Sequence, residues 1–175
     1  GKLAKDIFPI MQSQKMIGVH YRGTDFKNNY GSHPVLIGVE EYIDVIRKLP
    51  QKYQCYDIFL ATDDEVALQK FIDEFGSRVH YFNDVKRSDG TLSVICSEDK
   101  RPLHKYLLGY EVIRDVEVLA QTDVLVAGLS QVATFARIFK LSKDSNYDYD
   151  MLMNKGVNHN KRSHTTDMKK ARQKR

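Results

Sequence analysis

The segment IGVHYRGTDF, residues 17–26, runs from an apolar stretch directly into an arginine, a glycine and an aspartate. Residues 15–21 predict a short strand, because a brief apolar run bounded by polar residues is typical of a strand buried in a parallel sheet. The residues that follow, 22–38, are polar and glycine-rich, which predicts a loop. The change at Arg22 therefore marks the point where a buried strand ends.

Three more apolar runs resemble the first, and segments with helical periodicity separate them. The predicted strands cover residues 15–21, 56–61, 78–82 and 123–128, and the predicted helices cover residues 39–49, 64–76, 103–121 and 130–140. Regular alternation of this kind predicts an α/β fold, a Rossmann-like parallel sheet with helices on both faces. Ligands of such folds bind at the carboxyl ends of the strands, so the residues that follow each strand are the candidates for function.

Composition places the chain among soluble globular proteins and excludes several classes of site. Its 175 residues predict one domain, and no apolar run is long enough for a membrane span. The first residues lack the apolar core of a signal peptide, from which we expect a cytoplasmic protein, and the missing initiator Met predicts a piece of a longer chain. Cys55 and Cys96 do not have metal-ligand spacing, so no zinc site is predicted.

Charge is distributed unevenly along the chain. Residues 151–175 hold eight Lys or Arg and one Asp, whereas the whole chain has a net charge of only +4. The rest of the chain is therefore mildly acidic, which argues against a nucleic-acid-binding face. We predict a Rossmann-like domain over residues 1–141 and a polar, basic, disordered tail over residues 142–175.

Arg22 and Gly23 form the first candidate site. A guanidinium at a strand end offers a planar fork of donors suited to two phosphate oxygens. Gly23 allows a sharp turn or a close approach to a ligand. An ordinary ion pair between Arg22 and Asp25 is the alternative.

Two further loops after predicted strands differ in charge. In GLSQ, residues 128–131, Ser130 is a good N-cap and the first helical turn has no acid, so this helix start predicts an anion site or a plain cap. In ATDDE, residues 61–65, Thr62 and Glu65 fit a capping box. The acids there would repel phosphate, which leaves Asp63 and Asp64 open between structural roles and contacts with hydroxyl groups.

Asp115 lies along the apolar stripe of its predicted helix. A carboxylate near a buried face needs a partner. It could pair with a nearby arginine, or it could accept two N–H donors from a ligand such as guanine. The chain has neither a GxGxxG fingerprint nor a P-loop. The candidates together predict a nucleotide or phosphate ligand in an α/β crevice.

Four motifs in a fixed order carry a resemblance to a known family. They are HYRGTD at 20–25, HP and EEY between 33 and 42, IFLATDD at 58–64, and GYEVIRDVEVLAQTDVLVAGLSQVA at 109–133. Residues 15–140 thereby resemble the donor-binding half of GDP-fucose fucosyltransferases, especially the α1,6-fucosyltransferases and the nodulation fucosyltransferase, and the wider O-fucosyltransferase superfamily. The resemblance implies the C-terminal, donor half of a GT-B type glycosyltransferase.

The resemblance also implies roles for individual residues. Arg22 would bind the diphosphate with His20 and act catalytically by offsetting charge on the departing GDP, and Asp115 would bind guanine with Val112 close by. The donor-binding residues expected are His20, Arg22, Gly23, Asp63, Val112, Asp115, Ser130 and Gln131. The implied reaction is inverting and metal-independent, with GDP-fucose as donor and no cofactor.

Two features depart from the family pattern. Gly23 stands where the α1,6 enzymes have a second arginine, and the loop FKNNYGSHP, residues 26–34, lacks the glutamate proposed as their base. The base is therefore not identified, and His33 is either a base or an incidental turn residue. The implied partners are a glycan acceptor and an N-terminal acceptor domain in a longer parent chain. The alternatives are a non-catalytic nucleotide-binding or regulatory domain, and a structural module whose tail binds an acidic partner.

Overall fold

A parallel sheet forms the centre of the molecule. The computed structural model describes residues 15–24, 26–88 and 101–160, together with Leu3, Ile7 and Ile10. The strands are β1 (Met16–Tyr21), β2 (Asp57–Thr62), β3 (Val79–His80), β4 (Val124–Gly128) and β5 (Tyr149–Met153), and the helices are α1 (Val39–Arg47), α2 (Glu65–Phe75), α3 (His104–Gln121) and α4 (Gln131–Leu141). The strand order is β3-β2-β1-β4-β5 with every pairing parallel. The predicted Rossmann-like α/β fold is confirmed.

Helices cover both faces of this sheet. One core packs Ile17 and Val19 of β1 with residues of α1 and α2, and the other contains Met16 together with residues of α3 and α4. Because successive side chains of a strand point to opposite faces, His20 lies on the same face as Met16. The alternation therefore directs His20 toward α3 and α4 at the carboxyl end of the central strand.

The predicted tail is wrong in its first part. Residues Tyr149–Met153 pair with Val124–Gly128 along the whole of β4, so the sheet extends well beyond residue 141. Met153 is buried, whereas most of β5 is exposed at the edge of the sheet. An edge strand of this kind needs no apolar alternation, which is why the sequence pattern did not predict it. Residues 161–175 of the predicted tail lie outside the described residues.

The segment after β5 also folds back onto the loop that follows β1. An isolated antiparallel bridge joins Pro34 to Val157, and Ser32 donates its N–H to the carbonyl of Asn158 at 2.8 Å. Residues 154–160 therefore act as a clamp on residues 29–35, and we call them the clamp segment. None of the helices in the described residues has the length and apolar character needed to cross a bilayer.

Candidate functional site

The carboxyl ends of β1 and β2 face α3 across a cavity of about 110 Å³, which we call the α3 cavity. Five of the eight predicted donor-binding residues line it, and these are His20, Arg22, Asp63, Val112 and Asp115. Residues that are distant in sequence thus meet at one end of the sheet, where ligands of this fold class bind.

A second, more open cavity of about 570 Å³ adjoins the first. Its walls are the loop after β1 and the start of α4, and we call it the loop cavity. Ser130 and Gln131 line it together with His33, and Arg22 contributes to the walls of both cavities. Gly23 lines neither cavity. The guanidinium of Arg22 therefore lies where a ligand extending through both cavities would pass.

Asp63 holds the loop that carries Arg22. Its Oδ1 accepts the backbone N–H of Gly23 at 3.1 Å, and its Oδ2 accepts the hydroxyl of Thr24 at 2.6 Å. The Nε atom of Arg22 lies 4.0 Å from Asp63 Oδ2. The carboxylate thereby fixes the turn after β1 and orients the guanidinium. The alternative pairing of Arg22 with Asp25 involves a residue outside the described part of the chain.

Asp64 is the N-cap of α2, in place of the predicted capping box. Its Oδ1 accepts the backbone N–H groups of Val66 at 3.0 Å and Ala67 at 3.2 Å, and its Oδ2 accepts Lys27 Nζ at 2.6 Å. The prediction that Thr62 and Glu65 cap this helix is therefore wrong. Thr62 is still part of β2, so the N-cap position falls two residues later.

Gly23 lies directly against Asp64. A Cβ atom on Gly23 would lie 2.3 Å from Asp64 Oδ2, closer than any side chain tolerates. The glycine is thus required by the close packing of the two loops after β1 and β2. Its predicted contact with a donor ligand stays a prediction.

Replacing Asp64 by alanine tests this arrangement. We expect the free energy of unfolding to fall by about 2 kcal/mol, because the substitution removes both an N-cap and the buried partner of Lys27. The matched control is Glu65→Ala on the exposed side of the same turn, for which we expect a change below about 0.5 kcal/mol. Urea denaturation followed by circular dichroism measures both. A larger loss of unfolding free energy for Glu65→Ala than for Asp64→Ala would support the predicted capping box instead.

His20 is a buried and neutral imidazole. Its Nδ1 lies 3.0 Å from Ser130 Oγ, and burial, assisted by the positive charges of Arg22 and Arg137, lowers the pKa of His20 to about 3. Ser130 Oγ accepts the N–H of Ala133 at 3.1 Å, which confirms Ser130 as the N-cap of α4. When the Ser130 hydroxyl donates to Nδ1, the ring proton lies on Nε2, where it can serve as a hydrogen-bond donor.

Asp115 is the unusual side chain of the α3 cavity. It is partly buried, and within the described part of the chain it has neither a hydrogen bond nor an ion pair. Burial raises the pKa of Asp115 to about 7, although the charges of Arg114 and Arg87 act in the opposite direction. A carboxylate without such partners is available to accept hydrogen bonds from a ligand.

The structural alternative for Asp115 was an ion pair with a nearby arginine. The neighbouring Arg114 instead forms a two-pronged pair with Asp84, at 2.6 and 3.0 Å. The other carboxylate on this face of α3, Glu111, pairs with Arg101 at 2.7 Å. Both acids line the α3 cavity, but among the described residues Glu111 is held in an ion pair and Asp115 is not.

Sequence reasoning missed part of this helix face. Leu108, Glu111, Val112 and Asp115 all line the α3 cavity, at spacings of three and four residues. That spacing is the signal of one helical face and could have identified Leu108 and Glu111. Among the described residues, no group of His, Cys, Asp and Glu side chains is arranged to hold a metal ion.

Comparison with known proteins gives a likeness of fold only. No family model matches the chain, and no curated protein matches it in sequence. Solved structures that resemble it include POFUT1 in its apo form, at 10% identity and a TM-score of 0.45, covering 87% of this chain and 46% of that one. POFUT1 in complex with GDP gives 9% identity and a TM-score of 0.47, with coverages of 87% and 47%.

A third structure, POFUT1 in complex with GDP-fucose, has 10% identity and a TM-score of 0.48, covering 87% of this chain and 46% of that one. The chain therefore spans less than half the length of the solved structures that it resembles.

Proposed function

We propose that this chain is the donor-binding domain of a GDP-fucose-dependent, inverting glycosyltransferase. The observation that carries the proposal is the α3 cavity, where the Arg22 guanidinium and the unpaired Asp115 carboxylate line the same small space. A guanidinium suits a diphosphate, and a carboxylate suits the two adjacent N–H donors of guanine. The order of the four sequence motifs supports the same assignment.

Each part of the site has a role in this proposal. Asp115 binds the guanine edge, and Val112 provides apolar contact beside it. His20 and Arg22 bind the diphosphate, with Ser130 and Gln131 presenting the N-terminus of α4 to it. The sugar then extends into the loop cavity.

The chemical role of these groups follows from where charge develops. As the bond between the sugar and the β-phosphate breaks, negative charge grows on GDP. Arg22 and the dipole of α4 are already oriented to stabilise that charge. We therefore expect transfer to continue in the presence of EDTA. The proposal includes a glycan acceptor and an N-terminal acceptor domain in a longer parent chain.

Calorimetric titration of nucleotides into the chain tests the proposal. We expect GDP, GDP-fucose and GDP-mannose to bind at least tenfold more tightly than ADP or UDP, because only guanine offers Asp115 paired donors. Equal affinity for all five, or no binding, would contradict it. Guanine-selective binding without release of the sugar would favour the alternative of a non-catalytic nucleotide-binding domain. The described residues that line the loop cavity include no carboxylate, which is consistent with that alternative.

A further inference from the structure

The loop cavity contains a histidine that the proposed function does not yet use. Its described lining includes the charged Arg22 and otherwise apolar, hydroxyl or amide side chains, apart from His33. Arginine stays protonated in proteins, so it cannot accept a proton at neutral pH. His33 is thus the general base that this described lining offers, since histidine is the side chain used most often for that task.

Aromatic contacts fix the His33 ring. The ring lies edge-on to Phe26, with centroids 6.3 Å apart, and edge-on to Tyr30, at 5.5 Å. Within the described residues, no hydrogen bond is made by either ring nitrogen. The imidazole is therefore oriented by packing, while its nitrogens remain available to a substrate.

The clamp segment fixes the backbone at the same position. The carbonyl of His33 accepts the backbone N–H of Asn158 at 2.8 Å and its side-chain Nδ2 at 3.2 Å. Asn29 and Ser32 adopt left-handed conformations, with φ of 51° and 65°, which are uncommon for residues other than glycine. Such conformations persist where surrounding structure holds them, and they are frequent at functional sites.

We propose that His33 is the general base of the transfer reaction, accepting the proton of the acceptor hydroxyl in the loop cavity. This inference rests on the proposed function. The acceptor oxygen bonds to the anomeric carbon as the bond from that carbon to the β-phosphate oxygen breaks. The electron pair of the broken bond leaves with GDP beside Arg22, and the acceptor proton passes to a ring nitrogen of His33.

The placement of Arg22 supports this division of the site. Because Arg22 lines both cavities, the bond that breaks lies near their junction, with GDP on the α3 side. The loop carrying His33 forms the wall of the loop cavity that faces the start of α4. An incoming hydroxyl group in this cavity would therefore meet His33.

The test uses the 175-residue chain, with GDP-fucose as donor and water as acceptor. We expect His33→Gln to lower the rate of fucose release about 100-fold, the usual contribution of general base catalysis, with the Kd for GDP-fucose unchanged. Added imidazole should restore part of the rate to His33→Ala. His80→Gln, which removes a histidine that lines neither cavity, is the matched control and should leave the rate unchanged.

Several outcomes would overturn the proposal. Two concern His33→Gln: an unchanged rate of fucose release, or a loss of affinity for GDP-fucose as large as the loss of rate. The others are failure of imidazole to restore any rate to His33→Ala, and tight donor binding without fucose release by the unchanged chain. Absence of GDP-fucose binding to the unchanged chain would instead refute the proposed function.

Discussion

Arg22→Ala is expected to weaken GDP binding by about 100-fold while leaving the melting temperature nearly unchanged. Two charge-assisted hydrogen bonds to a diphosphate contribute about 3 kcal/mol together, which corresponds to that factor. The ion pair of Arg22 with Asp63 contributes little to the stability of the folded protein, because its atoms lie 4.0 Å apart and the Asp63 carboxylate is already hydrogen-bonded by the Gly23 N–H and the Thr24 hydroxyl.

Two further variants make the Arg22 experiment specific. Arg22→Lys keeps the charge and loses the planar fork, so we expect an intermediate loss of about tenfold. Arg47→Ala removes an arginine whose partners are Glu74 and Asp44 on the exposed surface, and it should leave GDP binding unchanged. Calorimetry gives the affinities and differential scanning fluorimetry gives the melting temperatures. A large drop in melting temperature with intact GDP binding would make Arg22 a structural residue.

The sequence predicted those parts of the site that depend on one element at a time. The end of β1 follows from its apolar run, so the positions of His20 and Arg22 could be predicted. The periodicity of α3 placed Asp115 beside a buried face, and the cap residue Ser130 marked the start of α4. Each of these inferences needs only the local repeat of a strand or a helix.

The parts that were missed depend on contacts between distant segments. The hydrogen bond from the Gly23 N–H to Asp63 depends on the pairing of Tyr21 with Thr62 in the sheet, whereas the contact of Asp63 with the donor stays a prediction. The clamp segment contacts residues more than one hundred positions earlier, and no local pattern reports such a contact. The choice of Asp64 over Thr62 as N-cap depended on where β2 ends, since both residue types are good caps.

Asp115→Asn is expected to remove the preference for guanine. An amide presents one acceptor where the carboxylate presents two, so GDP binding should weaken about 100-fold. Inosine diphosphate lacks the 2-amino donor and serves as the matched ligand. The unchanged chain should prefer GDP to inosine diphosphate, and the variant should bind both alike. A preserved preference would show that Asp115 does not contact the base.

Protonation of Asp115 couples nucleotide binding to pH. With a pKa of about 7, the carboxyl group is about one-tenth ionised at pH 6 and mostly ionised at pH 8. Since guanine needs two acceptors, GDP affinity should rise about tenfold between these values. The phosphate groups of GDP also titrate in this range, and the same measurement on Asp115→Asn subtracts their effect. An equal rise in the variant would contradict the coupling.

The same carboxyl group should reduce the stability of the unliganded protein. Its pKa is higher in the folded state than in the unfolded chain, so the folded state retains the proton while the unfolded chain loses it as pH rises from about 4 to 7. The contribution of this group to the free energy of unfolding is therefore present below about pH 4 and lost as the pH rises to about 7. Asp115→Asn has no such loss, and we expect its melting temperature to exceed that of the unchanged chain at pH 8 but not at pH 4. If Asp115→Asn raises the melting temperature at pH 8 and weakens GDP binding, the carboxylate serves ligand binding at a cost to folding. If the substitution lowers the melting temperature instead, the carboxylate is structural.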